Sequence, residues 1–99
     1  MTLDDFKKSV ANDEAPSADL KDALKALWHD AKGDWERAHD LCQSTGNADG
    51  DWVHAYLHRV EGDLSNASYW YNRSGKARFD GALKTEWASI VESLVKGEG

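Results

Sequence analysis

The sequence predicts an all-α domain of five to six helices, in which two stacked helical hairpins lie between an N-terminal and a C-terminal helix. Apolar residues recur at spacings of three and four along most of the chain, which is the period of one face of an α-helix. No segment shows the sustained alternation of apolar and polar residues that is typical of a strand. Two Gly-Asp pairs, at positions 33–34 and 62–63, separate helical segments where hairpin turns are expected.

Length and composition favour one ordered domain over residues 1–99. A chain of 99 residues has about the size of a single domain, and its five Trp, three Tyr and two Phe are bulky apolar side chains. Such side chains supply the apolar area that disordered sequences lack. We therefore expect a single folded domain with a hydrophobic core.

The first helix is predicted from about residue 3 to residue 11. Thr2 is a suitable N-cap for it. Leu3, Phe6 and Val10 then fall on one helical face. The helix is expected to end before Pro16, because proline disfavours helical geometry in the residue that precedes it.

The first predicted hairpin consists of two helices and a tight turn. Ser17 is the expected cap of its first helix, and Gly33 ends that helix because glycine is free to adopt the left-handed conformation. Asp34 is placed to cap the next helix immediately. The expected apolar faces are Leu20, Leu24, Leu27, Trp28 and Ala31 in the first helix, and Trp35, Ala38, Leu41 and Cys42 in the second.

The second predicted hairpin follows a loop at residues 44–50, which is dense in turn-forming residues. Asp51 is the expected cap of its first helix, and Gly62 with Asp63 repeats the turn of the first hairpin. Its apolar faces are expected to be Val53, Tyr56, Leu57 and Val60, then Leu64, Ala67, Trp70 and Tyr71. A C-terminal capping helix at about 83–96 is predicted from the helical spacing of Leu83, Trp87, Ile90, Val91, Leu94 and Val95.

The two hairpins repeat at an offset of 29 residues. The identical pairs at this offset include Ala26 and Ala55, His29 and His58, Gly33 and Gly62, Asp34 and Asp63, and Ala38 and Ala67. In each unit a glycine reverses the chain, and a small alanine four residues after the aspartate lets the paired helices approach closely. The sequence therefore predicts repeat units at about 20–46 and 49–75 that bury their apolar faces by stacking.

The segments AKGDWERAHDLCQ, at residues 31–43, and VEGDLSNASYWYN, at residues 60–72, carry the same glycine, bulky residue and alanine around their turns. In this spacing the chain resembles the tetratricopeptide and Sel1-like helical repeat proteins over about half of its length. Its period is shorter than the tetratricopeptide unit of about 34 residues, and Lys25 and His54 stand where that family usually has a large apolar residue. The resemblance implies stacked hairpins and a groove that binds peptides.

The predicted binding residues are Trp52, Tyr56, Tyr69, Trp70 and Arg73. Three consecutive aromatic residues, at 69–71, cannot all face one core, so at least one of them is expected at the surface. Trp52 and Tyr69 in a shared groove would anchor a peptide, as aromatic hot spots do. The alternative is that these side chains pack beneath the first and last helices. With repeat architecture and no catalytic constellation, the sequence favours a non-enzymatic protein that binds a protein partner or a second copy of itself.

The alternative function is a metal or small-molecule site that uses His54, His58 and the aromatic cluster. His54 and His58 are one helical turn apart, as are two metal ligands of zinc proteases, but Ala55 occupies the position of the catalytic glutamate. Two imidazoles do not complete a tetrahedral site, and further ligands would have to come from other helices. The candidates there are His29, His39 and Cys42. The primary prediction is therefore no metal and no cofactor.

Cys42 is the only cysteine, so no internal disulfide is expected. It falls on an apolar helical face, where a small core residue is the favoured interpretation. His39 lies one turn away, which leaves a thiol–imidazole pair as the alternative.

The net charge of −6 argues against nucleic acid and anionic membranes as partners, because both attract clustered Lys and Arg. Arg73, Lys76 and Arg78 form one basic segment, which would either hold an anion or balance the negative end of the preceding helix. No apolar run approaches the ~20 residues of a membrane span, and the first residues do not read as a signal peptide. A cytoplasmic location is expected.

Overall fold

Six α-helices make up the secondary structure of the computed structural model, which describes residues 1–98. In chain order they are α1 (Leu3–Asn12), α2 (Asp22–Ala31), α3 (Trp35–Thr45), α4 (Ala48–Val60), α5 (Leu64–Ser74) and α6 (Leu83–Glu98). No strand occurs within the described residues, so the predicted all-α fold of five to six helices is confirmed. None of these helices has both the length and the apolar character needed to cross a lipid bilayer.

Each hairpin turn contains a glycine in the left-handed conformation. The φ angle is 86° at Gly33 and 85° at Gly62, a region that residues with a Cβ rarely occupy. In the first hairpin the backbone N–H of Asp34 donates to the carbonyl of His29 at 2.9 Å, and the second hairpin makes the equivalent bond at the same length. The side chain of Asp34 then accepts from the N–H of Arg37 and caps α3. The two turns are therefore built alike.

Small buried side chains allow the helices to pack closely. Ala38 of α3 and Ala67 of α5 are completely buried, and each lies four residues after the aspartate that caps its helix. Ala26 of α2 and Ala55 of α4 are buried as well. α2 packs against α3, α4 packs against α5, and α4 also contacts α2 and α3. The two hairpins thus meet along α4.

The main core contains side chains from α1, α2, α3, α4 and α6. Its largest fully buried members are Phe6, Leu24, Leu27, Trp28, Leu57 and Ile90. α5 contributes Ala67 and Tyr71 to a separate, smaller cluster with Ala55 of α4. α5 is consequently attached to the described part of the molecule mainly through α4.

α6 closes the hairpin stack by packing on α1, α2 and α4. The indole N–H of Trp87 donates to the carbonyl of Leu27 at 3.0 Å. The carboxylate of Glu86 is buried and accepts from the Arg59 guanidinium of α4 and the Tyr71 hydroxyl of α5. Burial and the bond to Glu86 raise the pKa of the Tyr71 hydroxyl. This polar network joins α6 to both helices of the second hairpin.

α2 begins later than the sequence predicts. Ser17 lies in a turn, in which the backbone N–H of Leu20 donates to its carbonyl, and it does not cap the helix. Leu20 is buried in the core from this turn, and Lys21 is extended before the first helical residue. Leu20 therefore reaches the core from the turn, and the helix starts two residues after it, at Asp22.

α4 begins earlier than predicted. Asn47, rather than Asp51, is its N-cap, and the Asn47 side chain accepts from the N–H of Gly50 at 2.9 Å. Gly50 itself is packed so tightly against the Thr45 side chain that a Cβ would clash there. The second half of the expected loop is therefore the first turn of α4.

Candidate functional site

Four of the five predicted binding residues lie together on α4 and α5. Trp52 and Trp70 pack against the same small cluster. The Arg73 guanidinium lies 5.3 Å from the ring centre of Trp70 and 6.0 Å from that of Tyr69, and it pairs with Asp51 at 3.6 Å. We call the set Trp52, Tyr69, Trp70 and Arg73 the aromatic face. Its cation is stacked on rings of the same face.

Tyr56, the fifth predicted binding residue, lies elsewhere. Its side chain is 4% exposed and lies beside the carboxyl group of Asp30 on α2. Burial raises the pKa of the Tyr56 hydroxyl and also that of the Asp30 carboxyl. Both residues line a surface cavity of about 440 Å³, together with Lys7 and Trp87. Tyr56 is thus separate from the aromatic face.

The three consecutive aromatic residues have different environments. Tyr69 is 53% exposed, Trp70 is half-buried and Tyr71 is buried, as expected if only part of the run can face the core. Leu64, at the start of α5, is 60% exposed. Apart from the bond of Tyr71 to Glu86 on α6, α5 packs along α4, and no helix of the described residues covers Leu64 and Tyr69.

Three histidines meet at the junction of the two hairpins. His54 and His58 are one turn apart on α4, and His39 reaches them from α3. The Nε2 atoms of His39 and His54 are 2.9 Å apart. One ring nitrogen from each of the three lies within 4.8 Å of the others. We call His39, His54 and His58 the histidine cluster.

Two tryptophans stack on imidazoles of the histidine cluster, one on His39 and one on His54. The indole of Trp35 is parallel to the imidazole of His39, with ring centres 4.8 Å apart. Trp70 stacks on His54 at 3.9 Å. The indole N–H of Trp35 donates to the carbonyl of Leu57 at 2.8 Å, which fixes that ring against α4. The imidazoles are therefore held in orientation by packing as well as by hydrogen bonds.

The surroundings of His39 and His54 favour the neutral form of both imidazoles. Burial, together with the neighbouring His39 and His58, lowers the pKa of His54 to about 4. Burial is also the main cause of the lowered pKa of His39. The Nδ1 atom of His58 lies 2.5 Å from the carboxylate of Glu61. Nδ1 of His54 is buried and has no hydrogen-bond partner among the described residues.

The sequence offers all three histidines of this cluster as candidate ligands, but it does not predict that His39 meets the other two. His54 and His58 are visible as a pair from their spacing, whereas His39 aligns with Ser68 at the 29-residue offset and the repeat gives no signal for it. His39 joins the pair because α3 packs on α4 across the two hairpins. The one local signal is Trp35, an aromatic residue one turn before His39.

The other two candidates for a metal ligand lie outside the cluster. The ring of His29 contacts the indole of its neighbour Trp28 at 5.2 Å. Cys42 is buried in the main core, where burial raises the pKa of its thiol to about 12. Neither side chain belongs to the three-histidine set.

Comparison with known proteins assigns the chain to no family. No protein-family model matches it, and neither a curated protein nor a solved structure does. What the protein does must be inferred from its own residues.

Proposed function

We propose that the protein is a small non-enzymatic helical module that docks an amphipathic helix of a partner protein against α5. The observation that carries this proposal is that α4 is the one described helix packed along α5, which meets α6 only through the Tyr71–Glu86 bond, and that the apolar side chains of Leu64 and Tyr69 are exposed. In proteins built of stacked hairpins, each unit buries its apolar face against a neighbour. A helix of a partner protein supplies that neighbour here.

The exposed side chains indicate a reversible contact. Complete burial of one large apolar side chain contributes about 1.5–3 kcal/mol. Association costs at least about 4 kcal/mol in lost translational and rotational freedom. Leu64 and Tyr69 alone therefore support weak binding, and the half-buried rings of Trp52 and Trp70 would add contact area. Arg73, which is mostly exposed, adds a cation suited to an acidic residue at the rim.

The proposal is non-enzymatic because the one thiol considered as a nucleophile is unsuited to that role. Cys42 lies in the core, and its pKa is raised to about 12 by burial, with smaller effects from Asp51 and Asp30. A thiolate nucleophile needs the opposite setting, with an exposed sulfur and nearby positive charge.

Site-specific photo-crosslinking tests the docking surface. A benzophenone amino acid at Tyr69, introduced in the cells that produce the protein, is expected to give a discrete adduct that Leu64→Asp abolishes. The same probe at Lys8, an exposed residue of α1, is the matched control and should give none. Adducts of equal yield at both positions, or none at Tyr69, would refute the proposal. An adduct of twice the chain mass would instead identify a second copy as the partner.

A further inference from the structure

The histidine cluster adjoins the proposed docking surface through Trp70, which stacks on His54, and it has the composition and spacing of a metal site. From this arrangement we propose that His39, His54 and His58 bind one divalent transition-metal ion of the zinc class. Two ligands come from one turn of α4 and the third from α3 of the other hairpin.

The spacing of the nitrogens requires little movement to admit an ion. Zinc–nitrogen bonds are about 2.0–2.1 Å, so two nitrogens on one tetrahedral ion lie about 3.3 Å apart. The Nε2 atoms of His39 and His54 are 2.9 Å apart, and all three ligand atoms fall within 4.8 Å. Side-chain shifts of a few tenths of an ångström for that pair, with a closer approach of His58, complete the geometry.

The Nε2 atom of His54 faces another imidazole rather than a carboxylate or a carbonyl. Buried imidazoles normally pair one nitrogen with a carboxylate or a carbonyl. His54 instead presents Nε2 to the imidazole of His39. A metal ion between His39 and His54 would accept a lone pair from each Nε2, which replaces this imidazole–imidazole contact with two coordinate bonds.

Glu61 acts on the third ligand as a positioning residue. Its carboxylate lies 2.5 Å from Nδ1 of His58, which places the ring proton on Nδ1 and leaves the Nε2 lone pair for the ion. Metal-bound histidines commonly have such a partner, because it fixes the tautomer and the ring orientation. Trp35 and Trp70 restrict the other two rings by stacking on them. All three imidazoles are thus oriented before an ion arrives.

The donor set defines the class of ion. Three imidazoles suit zinc, copper, nickel and cobalt, whereas magnesium and calcium prefer oxygen ligands. A competing set, His58 with Glu61 and Asp63, also brings its ligand atoms within 4.8 Å. Its carboxylates are exposed, and the Nδ1 of His58 that faces them is already bonded to Glu61. We therefore place the ion among the histidines, with a water molecule in the fourth position.

Titration of the EDTA-treated protein with Zn²⁺ and Co²⁺ tests the site. Calorimetry is expected to give one ion per chain, and the Co²⁺ form should show the intense visible absorption of tetrahedral coordination. His39→Asn and His54→Asn should remove this binding. His29→Asn is the matched control, since it deletes an imidazole of α2 outside the cluster, and it should bind as the unmodified chain does.

Glu61→Ala provides a second variant that does not alter a ligand or the core. The affinity for Zn²⁺ is expected to fall by about 10–100-fold, as for other partners of metal-bound histidines. Circular dichroism of each variant without metal separates loss of binding from loss of fold. The proposal is wrong if the unmodified chain binds no ion stoichiometrically, or if His29→Asn weakens binding as much as His39→Asn. Binding that survives His39→Asn but is lost in Asp63→Asn would assign the ion to the exposed set and also overturn it.

Discussion

The thiol of Cys42 illustrates how burial controls the reactivity of a single side chain. The residue is 2% exposed, and burial raises its pKa to about 12, so the thiol is protonated at neutral pH. We predict that native protein at pH 8 reacts with Ellman's reagent far more slowly than protein unfolded in guanidinium, which serves as the reference for a free thiol. Equal rates in the two samples would contradict the buried, protonated thiol.

Glu86 is buried in α6, whereas Glu92 of the same helix is exposed. We predict that replacing Glu86 lowers the free energy of unfolding much more than replacing Glu92. Glu86→Ala leaves the Arg59 guanidinium and the Tyr71 hydroxyl without their acceptor, and breaking one side of a buried ion pair costs about 3–5 kcal/mol. Denaturant titration should show that loss in the free energy of unfolding. Glu92→Ala, at an exposed position of α6, is the control and should change it by less than about 0.5 kcal/mol. Similar values for both variants would mean that the network does not hold α6.

Asp30 is predicted to lower stability at neutral pH. Burial raises the pKa of its carboxyl above the unfolded value of 3.8, so folding disfavours the ionised form. Asp30→Asn removes that charge and keeps a carbonyl oxygen for the Tyr56 hydroxyl. The variant should be more stable than the unmodified chain at pH 7. This advantage should shrink as the pH falls through the raised pKa. It should vanish below 3.8, where the Asp30 carboxyl is protonated in the folded and in the unfolded chain. Unfolding free energies across this range would contradict the prediction if the difference were constant.

The hairpin turns depend on glycine for conformational reasons alone. At Gly33 and Gly62 a Cβ would meet no atom within 4 Å, yet φ is positive at both. Gly33→Ala and Gly62→Ala should therefore each cost about 1–2 kcal/mol, the strain of a left-handed residue with a side chain. Lys32→Ala, beside the first turn and exposed, is the control. Thermal unfolding would argue against equivalent turns if only one of the two variants were destabilised.

The elements could be predicted where their signals are local. The turns at Gly33 and Gly62 follow from residues adjacent in sequence, and so does the period of each apolar face. The starts of α2 and α4 could not, because Ser17 and Asp51 are chemically suitable caps. In the folded chain Leu20 enters the core from the turn before α2, and Asn47 caps α4 instead. Several residues near each helix start are chemically suitable caps, and which of them is used is evident only in the folded chain.

The histidine cluster and the aromatic face show the same limit for contacts between elements. His54 and His58 are a pair in any helix that contains them, but the approach of His39 depends on how one hairpin lies on the other. From sequence alone, Tyr56 is grouped with the other aromatic residues of the second hairpin. In the fold it lies beside Asp30 of α2, whereas Trp52 packs against the small cluster of α4 and α5. The sequence predicts what each hairpin contains, while the stacking of hairpins decides which side chains meet.

Because the proposed ligands come from both hairpins, a bound ion should stabilise the entire fold. The unfolded chain does not bring His39 to His54, so an ion binds the native state in preference. With free Zn²⁺ at about 100 times its dissociation constant, the free energy of unfolding should rise by about 2.7 kcal/mol. For a domain of this size that corresponds to an increase in Tm of about 10 °C or more. Scanning calorimetry should show the increase in His29→Asn but not in His39→Asn. An equal increase in both variants would mean that zinc stabilises the protein from a site that does not link the hairpins.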